Sequence, residues 1–160
     1  MQTKEIKTII NEYNSIEELP EEQILIVNKA KEAAKKAYAP YSKFNVGACV
    51  LLKNGEFIQG NNQENAAYPS GLCAERVAMF YANAKYPDVA VKAIAICAYS
   101  NSKFMSEPVP PCGSCRQVLL ETEVRFNSPI KIILFGENRI SIIENAKQLL
   151  PLSFDNNNFD

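Results

Sequence analysis

From Pro20 onward the apolar residues Ile26, Ala30, Ala33 and Ala37 recur at spacings of four, three and four, with lysines and glutamates between them. That stripe predicts an amphipathic helix burying one face, with its end expected near Pro40. Phe44 to Leu52 is apolar on both faces through Val46, Val50, Leu51 and Leu52, as in a largely buried strand. Asn54-Gly55 offers the positive backbone angles of a tight hairpin turn, so Glu56 to about Gln63 is the returning strand. An alternation follows: a helix from Cys73 to about Ala84, a strand Val91–Tyr99, a helix from Gly113 to about Glu123 and a strand Ile130–Phe135. This order predicts an α/β fold, a mixed sheet covered by helices. A strand Arg139–Ile143 and the segment Glu144–Leu150 complete it. Residues 4–10, with Ile6, Ile9 and Ile10, suit a short strand or a short helix equally. The loop Ser100–Pro111, with three prolines, reads as long and irregular.

At 160 residues the chain fits one domain, about two-thirds of whose unfolded surface is buried. No repeat, linker or boundary divides 1–160, and the Asn-rich tail 155–160 is expected to be mobile. The start, Met1-Gln2-Thr3-Lys4-Glu5, carries both charge signs and leads into no long apolar core, unlike a secretory signal. No apolar run approaches the about 18 residues of a spanning helix. With five cysteines, an odd number, the expectation is a reducing cytoplasm.

Seventeen basic residues against eighteen acidic ones leave a net charge of −1, a poor footprint for a nucleic acid polymer. The absence of histidine changes the picture most. It removes Ser-His and Cys-His nucleophiles and every histidine-containing metal site.

Pro111-Cys112-Gly113-Ser114-Cys115 places two thiols three residues apart at a helix start, so both can face one metal. A redox pair uses the same spacing but normally opens its domain, whereas this one comes late. Cys73-Ala74-Glu75-Arg76, after Pro69-Ser70-Gly71, puts a third thiol at another helix start. Helix N-termini favour thiolate over thiol. Three thiolates without a fourth protein ligand leave one position open, as in a catalytic zinc site. Three negative charges against zinc's two positive ones weaken the metal as a Lewis acid, so a cation must offset them. Arg76 and Arg116 are available, and Arg76 is favoured. Glu75, two residues after a ligand, can lie beside the reacting water and carry its proton. Cys49 and Cys97 fall inside strands and read as packing residues.

In this order, Tyr41-Ser42-Lys43-Phe44, Val46-Gly47-Ala48, Asn62-Gln63-Glu64-Asn65-Ala66-Ala67-Tyr68, Cys73-Ala74-Glu75-Arg76 and Pro111-Cys112-Gly113-Ser114-Cys115-Arg116-Gln117 resemble the homotetrameric, three-cysteine zinc cytidine deaminases. The resemblance runs from about Ala37 to Phe154. It implies a three-layer fold with a five-stranded mixed sheet, one Zn2+ per subunit held by Cys73, Cys112 and Cys115, and active sites shared between subunits. Phe44 would pack on the pyrimidine, Asn62 and Glu64 would bind the ribose hydroxyls, and backbone near Ala74 would read the base. Phe154 would close a neighbour's pocket, with Tyr68 at a subunit contact. The implied activity is hydrolytic deamination of cytidine and deoxycytidine in pyrimidine salvage, with a modified cytosine nucleoside such as blasticidin S as the alternative substrate. Three departures stand out: residues 1–20 read as an N-terminal extension, Asn101–Pro110 is long, and Gln63 replaces an apolar residue.

Overall fold

The computed structural model describes residues 1–159, apart from the side chain of Asn157. Its strands are β1 (Asn11–Tyr13), β2 (Asn45–Leu52), β3 (Phe57–Asn61), β4 (Val91–Ser100), β5 (Lys103–Phe104), β6 (Lys131–Phe135) and β7 (Ile140–Ile143). Three α-helices accompany them: α1 (Glu21–Ala34), α2 (Ala74–Lys85) and α3 (Gly113–Phe126).

The sheet has seven strands in the order β1-β7-β6-β4-β2-β3, with β5 paired to β4. Only β4 and β6 are parallel; the other pairs are antiparallel. The expected five strands are β2, β3, β4, β6 and β7, and two short ones join them. β1 comes from the N-terminal extension, where residues 1–10 form neither helix nor strand and the pairing residues are Asn11–Tyr13, opposite Ile140–Ile142. β5 lies inside the long loop. Asn101 and Ser102 take positive φ of 50° and 62°, the two left-handed positions of a type I′ turn, so the loop begins as a hairpin. In the β2–β3 turn only Gly55 has positive φ. Its N–H bonds to the Leu52 carbonyl at 3.0 Å, giving a three-residue turn with a glycine bulge in place of the paired positive angles expected for Asn54-Gly55.

Strand periodicity sorts the core into two layers. Cys49, Leu51, Ala95, Cys97, Ile133 and Ile142 face α1 through Ile26, Val27, Ala30 and Ala34. Ala48, Val50, Ile94, Ile96, Ile132 and Leu134 face Ala74, Ala78, Met79 and Ala82 of α2 and Leu119 of α3. The result is three layers. α1 ends at Ala34, well before Pro40, because the chain turns to form a bridge: Tyr38 N–H donates to the Asn62 carbonyl (3.0 Å) and Glu64 N–H to the Tyr38 carbonyl (2.8 Å). Tertiary bonding to the strand end outcompetes the last turn of helix there.

The register places the site. Asn61 pairs with Gly47, Gly47 with Cys97, and Cys97 with Phe135, so β3, β4 and β6 end at one edge of the sheet. The chain leaves β3 and β4 there and passes into α2 and α3, whose N-termini therefore converge at the carboxyl ends of the strands, where open α/β sheets bind ligands. Two glycines let the helices come close. A Cβ on Gly47 would lie 2.1 Å from the Ala30 carbonyl oxygen in α1, and one on Gly60 would lie 2.5 Å from the Ala78 nitrogen in α2.

At the C-terminus, 3-10 turns span Ala146–Leu149 and Asn156–Asn158. The Phe154 and Phe159 rings meet edge to face at 5.3 Å, and Asp160, the last residue of the expected tail, lies outside the described residues. Among the described residues no helix is long and apolar enough to cross a membrane.

Candidate active site

Cys73 is the N-cap of α2 and Cys112 the N-cap of α3, both in extended conformation and neither making a side-chain capping bond. Cys115 follows one turn into α3 and is fully buried. The sulfurs of Cys73 and Cys112 are 3.9 Å apart, those of Cys112 and Cys115 3.5 Å, and all three lie within 4.8 Å of one another. Three thiolates around a tetrahedral zinc at about 2.3 Å sit about 3.8 Å from each other, so this donor set fits the ion in type, number and spacing.

The protons of the cluster are shared unevenly. A hydrogen bond from Cys115, helped by Arg76 and Cys112, lowers the Cys73 thiol to about 5, although burial opposes it. Cys115 is pushed strongly up because its proton is held by Cys73 and it is buried. Arg76 Nη2 donates to Cys73 Sγ at 3.6 Å. Arg116, the other cation weighed for this role, instead donates to the carbonyls of Pro111 (2.8 Å) and Leu149 (3.0 Å) and braces the chain around α3.

Glu75, in the first turn of α2, is only 5% exposed. Burial raises its pKa, partly countered by its own backbone N–H, which suits a group that must both take and return a proton. Ala74, beside it, is fully buried at the first helical position, where backbone N–H groups lack intrahelical partners.

A cleft of about 560 Å³ extends from Cys73 and Arg76 to Tyr41, Ser42, Asn62, Glu64 and Tyr68, within the usual size for a small-molecule site. Glu64 is held at its far end. Its carboxylate accepts from the Tyr41 N–H (2.9 Å), the Ser42 N–H (3.2 Å) and, by a short bond, the Ser42 hydroxyl. That hydroxyl first, then the two amides, hold the Glu64 pKa below its ordinary value. Asn62 accepts from Val46 N–H at 2.7 Å and donates to the Phe44 carbonyl at 2.9 Å, so most of its amide braces the start of β2. Phe44 is half-buried just before that strand. Phe154 is 59% exposed and absent from the lining of the cleft; its carbonyl accepts from Gln117 at 2.9 Å.

The structure thus gathers Cys73, Glu75, Arg76, Cys112 and Cys115 into one centre, with Asn62 and Glu64 across the cleft. Tyr41 and Ser42 are additions that residue patterns left without a role. The only local signal was a serine in a turn, because their partner Glu64 lies 22 residues away from Ser42. Cys49 and Cys97 are fully buried between sheet and α1, and burial pushes both thiols up to about 12.

Residues 20–127 match the model of the cytidine and deoxycytidylate deaminase zinc-binding region. The chain is 44% identical over 97 residues to a cytidine deaminase of Halalkalibacterium halodurans, covering 61% of this chain and 69% of the relative. It is 37% identical over 116 residues to a cytidine deaminase of Mycobacterium tuberculosis, covering 71% and 83%. The crystal structure of a cytidine deaminase from Burkholderia pseudomallei superposes with a TM-score of 0.69 at 36% identity, over 81% of this chain and 97% of that one. That of the Mycobacterium tuberculosis enzyme gives 0.64 at 32% identity, over 81% and 94%.

Proposed function

The chain belongs to the cytidine and deoxycytidylate deaminase family, and from that premise we propose that it hydrolyses cytidine and deoxycytidine to uridine and deoxyuridine, releasing ammonia. The observation that carries this reading is a buried carboxylate, Glu75, one helical step from a three-cysteine cluster that opens onto a cleft of nucleoside size. Cys73, Cys112 and Cys115 would hold Zn2+, which would supply Lewis-acid activation of water as a nucleophile at neutral pH.

Glu75 does the proton work. Its carboxylate takes a proton from the attacking water, delivers it to the pyrimidine ring nitrogen and later protonates the departing amine. Low exposure keeps bulk water from competing for that proton. Arg76 offsets the surplus negative charge of the thiolates. Glu64 accepts from the sugar hydroxyls, its remaining lone pairs aimed by the Tyr41–Ser42 clamp, and Asn62 supports the same end of the cleft. Phe44 packs beside the base, and backbone at Ala74 reads its edge. A pocket built to hydrogen-bond a hydroxyl discriminates strongly against ligands lacking it.

The enzyme works as a homotetramer in the cytoplasm, in pyrimidine salvage, on free nucleosides rather than on nucleic acid. Large aromatic groups of the cleft lining stand in solvent, with Tyr68 at 77% and Tyr41 at 49% exposure, and Phe154, outside the lining of its own cleft, would close a neighbour's. The chain acts as one domain.

Loss of ultraviolet absorbance with cytidine, deoxycytidine and blasticidin S as substrates tests this. Turnover of the first two is expected. Negligible turnover of both, with blasticidin S consumed, would transfer the assignment to the modified nucleoside. Glu75→Gln should keep one zinc per chain and lose about 10²- to 10⁴-fold in kcat, the usual worth of a general acid-base; an active variant would remove Glu75 from the mechanism.

A further inference from the structure

The β4–β5 hairpin reaches the substrate end of the cleft through a single side chain. Ser100, the last residue of β4, donates its hydroxyl to the carbonyl of Lys43 at 3.2 Å. Lys43 is a non-glycine residue in the left-handed region, with φ of 57°, a conformation that persists only where its surroundings hold it. Both polar groups of its backbone are engaged, since its N–H bonds to the Ala39 carbonyl at 3.1 Å.

Its neighbour Ser42 is the residue whose hydroxyl and N–H grip Glu64, and the same hydroxyl accepts from Phe44 N–H at 3.0 Å. The turn at Lys43 therefore sets where Ser42 points, and Ser42 sets where the Glu64 carboxylate points. Ser100 itself is firmly presented. Ser100 pairs with Lys103 and Tyr99 with Phe104 across the type I′ turn. The Phe104 ring packs edge to face on Tyr99 at 5.1 Å and on Phe135 at 6.0 Å. Lys31 Nζ of α1 lies 4.8 Å from the Phe104 ring and 4.5 Å from that of Phe135. The long loop thus has a rigid root.

We propose that Ser100 is a positioning residue for substrate specificity: through the Lys43 carbonyl it locks the Tyr41–Phe44 turn that aims Glu64 at the sugar hydroxyls. The proposal rests on the reading of Glu64 as the hydroxyl acceptor. Its first test does not. In the zinc-loaded protein, Ser100→Ala should speed hydrogen–deuterium exchange of the Tyr41, Ser42 and Phe44 amides about three- to tenfold, the effect of losing one neutral hydrogen bond. Amides at α3 should be unchanged. In steady-state assays Ser100→Ala should raise KM for cytidine by about the same factor with kcat within about twofold, and leave KM for 2′,3′-dideoxycytidine unmoved. Ser100→Thr, which keeps the hydroxyl, should restore both. Wild-type exchange at residues 41–44 in Ser100→Ala, or an equal rise in KM for both nucleosides, overturns the proposal. A wild-type enzyme that does not distinguish cytidine from its dideoxy analogue overturns the Glu64 reading instead, and the exchange measurement still decides whether Ser100 locks the turn.

Discussion

Gly60→Ala puts a methyl group where the first turns of α2 rest on β3. The added Cβ would lie 2.5 Å from the Ala78 nitrogen, 2.6 Å from the Ala74 oxygen and 2.9 Å from the Ala78 Cβ. Carbon contacts settle near 3.5 Å, and the closest atoms are helix backbone, so α2 must retreat by about 1 Å. Overpacking of this kind costs about 1–3 kcal/mol. For a domain of this size that is a fall in Tm of about 2–12 °C, at about 2–4 °C per kcal/mol. The same shift moves Cys73, immediately before Ala74, against the two cysteines on α3. Metal sites tolerate about 0.2 Å in ligand distance. Zinc should therefore be lost to a competing chelator about 10- to 100-fold more readily, the range seen when a ligand loses its support. Two controls separate the effects. Gly47→Ala clashes harder, at 2.1 Å, but with α1 on the opposite face, so it should lower Tm without altering zinc retention in the folded fraction. Gly113→Ala meets nothing within 4 Å and should leave both unchanged or slightly improved. A Gly60→Ala protein with wild-type melting and wild-type chelator resistance would falsify this account of how α2 is seated.

Two further outcomes follow from the titrating groups. After chelation at about pH 8, with the fold checked by circular dichroism, iodoacetamide should tag thiols of the cluster but not Cys49 or Cys97, whose thiolate fraction is about 10⁻⁴ when burial holds them near 12; mass spectrometry finding a tag on either would refute their packing role. The Ser42 hydroxyl and the Tyr41 and Ser42 amides depress the Glu64 pKa, so its ionised form persists as pH falls through the ordinary carboxylate value of about 4.3, and the stability its clamp contributes is full above that value and lost between it and the lower folded-state pKa. The KM ratio of dideoxycytidine to cytidine should accordingly hold from pH 7 to about pH 5, and its collapse within that range would count against the clamp.

Much of this was legible in the residues, and the reasons are local. The cysteines that matter all sit at helix starts, and helix starts are readable from glycine, proline and the onset of apolar periodicity. Position along the sheet follows from strand order, because β3 and β4 must release their chains at the same edge. The misreadings were tertiary. α1 was expected to run on toward Pro40, since its apolar stripe includes Ala37; the bridge from Tyr38 to Gln63 ended it sooner. β1 and β5 leave no mark in the sequence because three and two residues are too few to show a period, and β1 pairs with a strand about 130 residues away. Ser42 stands in the Tyr41–Phe44 motif with no role attached to it, and Ser100 shows no pattern at all. Their roles depend on partners 22 and 57 residues distant, which only the folded chain brings together.

The same geometry bears on where the charge of a three-thiolate zinc site would be balanced. Three thiolates carry more negative charge than zinc can neutralise, and the surplus must be met close to sulfur to matter in a partly desolvated site. Cys73 and Cys112 each cap a helix without a side-chain capping bond to its N–H groups, and both sulfurs stand beside the positive ends of helix dipoles. α3 adds no cation, because the guanidinium of Arg116 is spent on the Pro111 and Leu149 carbonyls. α2 adds Arg76 at 3.6 Å from Cys73, and Arg76 Nε is buried without a hydrogen-bond partner of its own. A guanidinium with one buried, unpartnered N–H is costly beside neutral thiols and stabilised beside thiolates, so Arg76 favours the charged, metal-binding form of the cluster over the protonated one. On the proposed mechanism, one turn of α2 therefore carries a ligand, the proton carrier and the compensating charge together. The seat of this helix on Gly60 should therefore affect the chemistry more than the packing of α1, which is what the Gly60→Ala and Gly47→Ala comparison measures.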